Sequence, residues 1–354
     1  MPSTGDMSDR LAEILTEHQV AFEPRGEGER RNGVIAILGP QDHARVAALL
    51  RHLLSEPERR AVSVFSGDGT EFPRPRLLDE WWRVHETAWF TKALAENRFV
   101  TWFQPIIDTA HHRVAGHECL IRLPHGRAYS GAEILDAAWV RDELHTFDAY
   151  ARNLAIRSAA QQSVDGMYFV NFMPSSIYNP ELCLKTTLQT LQESGLQPRN
   201  IVFEVVESEL VQDRPHLHRI CDFYRIHGFG LALDDLGTAP DSTQLVRDMQ
   251  PDFIKLHRTL IRSVEKPLYA ATIRKLVEIS DRRGICVVAK GVERTHEMED
   301  LWLLGVLYMQ GYLFGRPGPD ISMPQTALVR LARALHPILV TAQEREAIPA
   351  LAIN

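Results

Sequence analysis

Two adjacent carboxylates, Asp234 and Asp235, close the apolar run Gly230-Leu231-Ala232-Leu233, and Leu236-Gly237-Thr238 follows. Side chains alternate along a strand, so two neighbouring Asp residues cannot both point into one core. Two readings fit this stretch. One is a turn that uses Asp side chains for local hydrogen bonds; the other is a divalent cation held at the mouth of a sheet. Further polar residues stand at comparable places. Glu118 lies late in a strand-like run, Asn171 closes Tyr-Phe-Val-Asn, and Glu204 and Glu207 lie at the end of Ile-Val-Phe-Glu-Val-Val-Glu. Lys255 follows Asp-Phe-Ile, and Lys290 follows Val-Val-Ala.

Carboxylates gathered on one rim repel one another and raise their own pKa values. A hard cation with oxygen ligands resolves that conflict, and Mg²⁺ or Mn²⁺ is the natural choice. Each acid alone reads as a solvated loop residue; their shared strand-end placement favours the cation. Such a ring, with few nucleophiles, suits metal-assisted attack of water on a phosphoester. No Ser-His-Asp arrangement, P-loop or GxGxxG competes with it. Arg122, four residues beyond Glu118, suits a bidentate grip on a phosphate. Its bland alternative is a surface ion pair, worth little.

These residues need strands that end together. Two apolar stretches, Thr101–Ile107 and Arg113–Leu123, are joined by a short His-rich turn and read as a hairpin. Strand-like runs follow at Met167–Asn171, Ile201–Val206, Gly230–Asp234, Phe253–Leu256, Ile285–Ala289 and Tyr308–Tyr312. Helical stretches separate them, among them Ala151–Gln162, Leu182–Ser194, His216–His227 and Tyr269–Arg283. Gly195, Gly228 and Gly284 sit just past three of these, where C-terminal caps belong. Regular alternation predicts a parallel sheet wrapped by helices, and this many units in about 250 residues suit a closed barrel. Functional side chains then collect at the C-terminal ends of the strands.

Ahead of the barrel, residues 1–30 predict a short amphipathic helix (Leu11, Ile14, Leu15) and a charged tether, a flexible segment. Residues 31–76 predict a small α/β unit of strand, helix and strand: Val34–Leu38, a helix carrying Val46, Leu49, Leu50, Leu53 and Leu54, then Ala61–Phe65. The third expected segment, 77–345, holds the barrel with a leading helix and an apolar C-terminal helix around Leu328–Leu335. That last stripe packs on the barrel or mediates a homodimer; core packing is the commoner outcome.

Of the 354 residues, 45% are hydrophobic and 24% charged, which is ordinary for a soluble protein. The net charge of −7 argues against nucleic acid or acidic membrane as partner. Four scattered cysteines suit reduced thiols, and no apolar run has the length to span a bilayer, so a cytoplasmic location is expected.

The ordered motifs carry a specific resemblance. They are Phe-Gln-Pro-Ile (103–106), Gly-His-Glu-Cys-Leu-Ile-Arg (116–122), Phe-Val-Asn (169–171), Glu-Val-Val-Glu-Ser (204–208) and Leu-Asp-Asp-Leu-Gly-Thr (233–238). Phe-Ile-Lys (253–255), Lys-Gly-Val-Glu (290–293) and Gln-Gly-Tyr-Leu-Phe-Gly-Arg-Pro (310–317) complete the set. Over roughly Glu86 to Pro319 the chain resembles the EAL-domain proteins, which bind and often hydrolyse cyclic di-GMP. The resemblance implies a modified TIM (β/α)8 barrel with an antiparallel first strand. It further implies a first metal on Glu118, Asn171, Glu204 and Asp234, with Asp235 reaching toward a second. Lys255 would hold the attacking water or a phosphate oxygen. Gln104, Leu120, Arg122 and Gln310 would contact the ligand, and Glu207 would brace the loop after Asp235.

One departure matters most. Catalytic members have Glu-Gly-Val-Glu where this chain has Lys290-Gly-Val-Glu293. An ammonium there would displace the second cation, leaving one Mg²⁺ or Mn²⁺ site. The loop after Asp235 also departs, with Ala239 and Pro240 where the family carries glycine and tyrosine. The resulting expectation is a cyclic di-GMP receptor with weak or no hydrolysis, signalling to a downstream protein. Alternatives are an active phosphodiesterase releasing pGpG, and an interaction module that binds no nucleotide.

Overall fold

The computed structural model describes residues 4–20, 22–25, 34–37, 43–64, 76–124, 128–162, 166–206, 213–237 and 242–321. The chain divides into two units: Met1–Arg98 with Ala132–Glu143, and Phe99–Gly131 with Leu144–Asn354. The expected boundary at 76/77 falls inside the first of these units. The cause is visible in the packing: Leu78, Trp81 and Val84 bury themselves in one cluster with Val46, Leu50 and Leu54.

In the first unit, α1 (Thr4–Glu17) precedes β1 (Phe22–Arg25) and β2 (Val34–Ile37), which pair antiparallel. The amphipathic helix expected within residues 1–30 is thus present as α1, with Ile14 and Leu15 buried. The helices α2 (His43–Leu53) and α3 (Glu56–Ala61) follow, then β3 (Ser63–Val64) and β4 (Arg76–Leu77), again an antiparallel pair. The expected order of strand, helix and strand is present, with α3 added and with β2 and β3 in separate sheets, each paired with a neighbour in sequence. The helices α4 (Leu78–Glu86) and α5 (Ala88–Ala95) form where one continuous helix was expected, with Thr87 between them.

The second unit is the barrel. Its strands are β5 (Val100–Asp108), β6 (Arg113–Arg122), β7 (Met167–Asn171), β8 (Ile201–Val206), β9 (Gly230–Leu236), β10 (Phe253–Leu256), β11 (Cys286–Lys290) and β12 (Tyr308–Gln310). They close in the order β10-β11-β12-β5-β6-β7-β8-β9. β5 runs antiparallel to both neighbours, and the remaining pairs are parallel. The first barrel strand is thus reversed, as the resemblance implied.

Strand periodicity then sets the site. Ile106, Phe169, Val202, Ala232, Phe253 and Val288 form an apolar layer inside the barrel. Two positions onward along each strand, on the same face, stand Gln104 (β5 being reversed), Asn171, Glu204, Asp234, Lys255 and Lys290. The alternate side chains face outward into the larger core beneath the helices, which includes Ile254, Val205 and Leu233. Gly195, Gly228 and Gly284 adopt φ of 76°, 80° and 68°, the left-handed backbone that a helix C-cap requires.

Candidate functional site

Hydrogen bonds and ion pairs join Gln104, Glu118, Asn171, Glu204, Lys255 and Gln310 in one group and Asp234, Asp235 and Lys290 in another at the strand ends. Leu120 and Arg122 lie further along β6. Glu207, Thr238–Asp241 and the Leu328–Leu335 stripe lie outside the described residues. Register brings the partners side by side. Gln104 lies opposite Glu118, Asn171 beside Glu204, and Lys290 beside Gln310.

Lys255 is the centre of the ring. Fully buried, its Nζ donates to Glu118 Oε2 at 2.8 Å and lies 2.7 Å from Glu204 Oε1. The second approach is an ion pair without hydrogen-bond alignment, so both oxygens of buried Glu204 lack a hydrogen-bond partner. Glu118 is further held by Gln310 Nε2 at 2.6 Å and by Asn171 Nδ2 at 3.4 Å. Gln310 Nε2 also donates to Gln104 Oε1 at 3.1 Å, and Gln104 Nε2 to the Gly315 carbonyl at 3.2 Å. The two glutamines expected to meet ligand thus brace Glu118 as well.

On the opposite side, Lys290 Nζ lies 2.8 and 2.6 Å from the two oxygens of Asp234 and 3.1 Å from Asp235 Oδ1. A bulge explains how neighbouring carboxylates reach one ammonium. Asp235 takes a φ of 57°, and the β9–β10 register shifts between Ile254 and Leu256. The extra residue breaks the alternation and re-aims the second side chain. Asp tolerates this left-handed geometry better than most residues do.

Charge follows geometry. Burial pushes the Glu118 carboxyl up, but Lys255 and Lys290 outweigh it, with hydrogen bonds from Lys255 and Gln310, and hold it at about 2. Glu204 goes the other way, to about 8, because burial dominates and Glu118 and Asp234 add to it against Lys255. Burial likewise raises Asp234 despite both lysines. Burial disfavours the Lys255 ammonium, yet Glu118, Glu204 and Asp234 together raise its pKa. Lys290 is raised too: burial and Lys255 oppose its charge, and Asp234, Glu118 and Asp235 prevail.

The donor set was tested against the metals expected. Glu118, Asn171 and Glu204 offer oxygens of the hard type, and Glu204 Oε2, which has neither a hydrogen-bond partner nor the Lys255 contact of Oε1, suits one cation. As the side chains stand, no three acidic, histidine or cysteine groups among the described residues converge tightly enough to hold an ion. The Asp234–Asp235 side does not fit a second cation, since the Lys290 ammonium fills it.

Among the described residues, Arg122 forms no ion pair with an acid. Its Nη1 donates to the Ile121 carbonyl at 2.8 Å, and its guanidinium lies 5.8 Å from the Trp102 ring centroid. Burial lowers its pKa, against the pull of Glu118 and Tyr312. Leu120, half-buried, lies two residues from Glu118 on the same strand face. Sequence reasoning missed Trp102, Tyr312 and Arg316; Arg316 caps the Tyr312 ring at 4.2 Å. Their only signal was an aromatic or a cation placed inside a motif read for its polar members.

The EAL domain model matches residues 87–317. RocR, a cyclic di-GMP phosphodiesterase of Pseudomonas aeruginosa, is 27% identical over 238 residues, spanning 65% of this chain and 60% of that protein. A standalone EAL protein from Vibrio cholerae O395, solved in its c-di-GMP-bound form, is 31% identical with a TM-score of 0.59. The match covers 65% of this chain and 97% of that one. BlrP1 of Klebsiella pneumoniae, solved as a manganese and cyclic-diGMP complex, is 30% identical with a TM-score of 0.59, over 62% of this chain and 56% of its own. The chain spans about a third of the length of several other curated relatives it matches. A closed barrel with one reversed strand, an acid ring at its mouth and a family match across most of the chain lead to one conclusion: this protein belongs to the EAL domain family.

Proposed function

We propose that the barrel binds cyclic di-GMP and serves as a receptor in which hydrolysis is slow or absent. One observation carries the reading: the Lys290 ammonium is paired with both Asp234 and Asp235. A cation placed about 4 Å from that ammonium would meet roughly 4 kcal/mol of repulsion per unit charge at an effective dielectric of about 20. Two-metal hydrolysis stabilises attacking and leaving oxygens together, so loss of one ion cuts the rate severely.

Glu118, Asn171 and Glu204 would hold the single remaining Mg²⁺ or Mn²⁺, which supplies positive charge to a ligand phosphate; Asp234, the fourth ligand expected, is engaged by Lys290 through both oxygens. Arg122, free of the acids, is available for a second phosphate oxygen. Lys255 keeps Glu118 ionised and oriented. No helix among the described residues is long and apolar enough to cross a membrane. The receptor would act in the cytoplasm and pass occupancy to a protein partner, with a homodimer as one arrangement.

The alternative is a working phosphodiesterase that releases pGpG. Its support is the intact cluster of Lys255, Glu118 and Glu204, in which Glu204 Oε2 has no hydrogen-bond partner. Incubation of the purified chain with cyclic di-GMP and Mg²⁺ or Mn²⁺ tests the two. Negligible linear product is expected, and turnover at rates usual for the family would sink the receptor reading. Calorimetric titration with Ca²⁺ present should give saturable heat. No heat at high ligand concentration would leave an interaction module that binds no nucleotide.

A further inference from the structure

We propose that the outer wall of the β5–β6 hairpin carries a second ligand site, for a phenol-bearing zwitterion the size of one aromatic amino acid. A cleft of about 280 Å³ opens there, walled by Phe103, Pro105, Phe314 and Ile321. Its polar groups are His117, Arg316 and Asp320. Alternation along the hairpin separates it from the acid ring: Phe103, Pro105 and His117 face outward where Gln104 and Glu118 face in.

His117 marks the inner end. It is 4% exposed, stacks on Tyr168 at 6.4 Å and meets the Phe103 ring edge-on at 6.5 Å. Among the described residues it makes no hydrogen bond; its surroundings act on it through burial alone. Its ring nitrogens are not among the sealed polar atoms that lack a partner, so they open on the cleft, where water or a ligand can meet them. An imidazole presents one donor and one acceptor, and a phenolic O–H answers either.

The apolar walls match a single flat ring, and the volume falls just below that of drug-sized pockets. The outer end bears opposite charges. Arg316 and Asp320 are both exposed, no ion pair joins them, and Arg316 is steadied over Tyr312. A carboxylate facing Arg316 and an ammonium facing Asp320 complete the fit; an anion alone would meet the Asp320 carboxylate unfavourably. The cleft also shares its wall with the mouth of the barrel. Phe103 and Gly318 exchange both backbone hydrogen bonds, at 2.7 and 3.1 Å, and Gly315 accepts from Gln104. This site is independent of the cyclic di-GMP reading.

The test is a titration of the full chain, labelled in its histidine rings, with L-tyrosine, L-phenylalanine, tyramine and 4-hydroxyphenylacetate. The His117 resonance is identified by its loss in His117→Gln. Tyrosine should shift it saturably at millimolar concentration. Phenylalanine, tyramine and 4-hydroxyphenylacetate should each bind roughly tenfold more weakly, one polar contact being lost. Ile321→Trp, which adds bulk at another residue lining the cleft, should abolish the response and keeps the test open if His117→Gln does not fold. Three outcomes would overturn the proposal: no saturable shift with any compound (a cleft holding water only), equal binding of phenylalanine and tyrosine, or a response that persists in Ile321→Trp.

Discussion

Lys290 Nζ sits 2.6 Å from one oxygen of Asp234 and 2.8 Å from the other, across the strand that carries Lys255. The resemblance expects a carboxylate at this position in catalytic EAL domains, and on the proposed reading the ammonium there excludes a second cation.

Lys290→Glu should return an oxygen donor beside Asp235 and raise hydrolysis of cyclic di-GMP by about tenfold or more, since each 1.36 kcal/mol recovered is a factor of ten. Product analysis with Mn²⁺ reads it out. A variant as slow as its parent would shift the blame to the departures at Ala239 and Pro240.

Lys255 and Glu204 should respond unequally to removal. Lys255→Met leaves the ionised Glu118 carboxylate buried without its counter-charge, at a cost of about 3–5 kcal/mol. Glu204 is already pushed up to about 8 by burial and its acidic neighbours, so it is largely protonated at neutral pH. Glu204→Gln should therefore change stability by no more than about 1.5 kcal/mol. Urea midpoints at neutral pH without added metal distinguish them; equal losses would contradict this charge assignment.

Alkali should loosen the barrel through Cys221. This thiol is fully buried, and burial, aided by Asp222 against Arg225, pushes it from 9.0 to about 12. A folded-state pKa above the unfolded value means that the native chain holds its proton longer. The stabilisation is complete below pH 9.0 and is lost as pH rises toward about 12. Tyr224, raised chiefly by burial, acts in the same direction. Cys221→Ala should flatten the fall of melting temperature across that window; an unchanged slope would refute the assignment.

Gly311→Ala should be severely destabilising, by about 3 kcal/mol. A methyl group there would collide with the backbone of Val292, whose N–H donates to Gln310 O at 3.0 Å and whose carbonyl accepts from Leu313 at 3.1 Å. Neither contact has a flexible side chain that can yield. Thermal unfolding measures the loss, and a near-native melting temperature would show that this crossing can open.

Local chemistry made much of the molecule legible in advance. The two-residue period of strands and the capping glycines at 195, 228 and 284 depend on a few neighbouring residues, and so they were readable from the chain alone. So was the substitution of lysine for an acid at 290. Other features depend on closure. That Lys290 turns inward onto Asp234, that Gln310 braces Glu118 from 192 positions away, and that Asp235 flips into line through a bulge are settled by strand register around the ring. The grouping of α4 and α5 with the first unit rests likewise on which distant side chains cover Leu78 and Trp81. The sequence by itself determined the strands, their polar ends and the missing acid, because those are short-range properties of the chain. Only the tertiary structure decided which charges meet, because contacts between remote residues exist only after the barrel has closed.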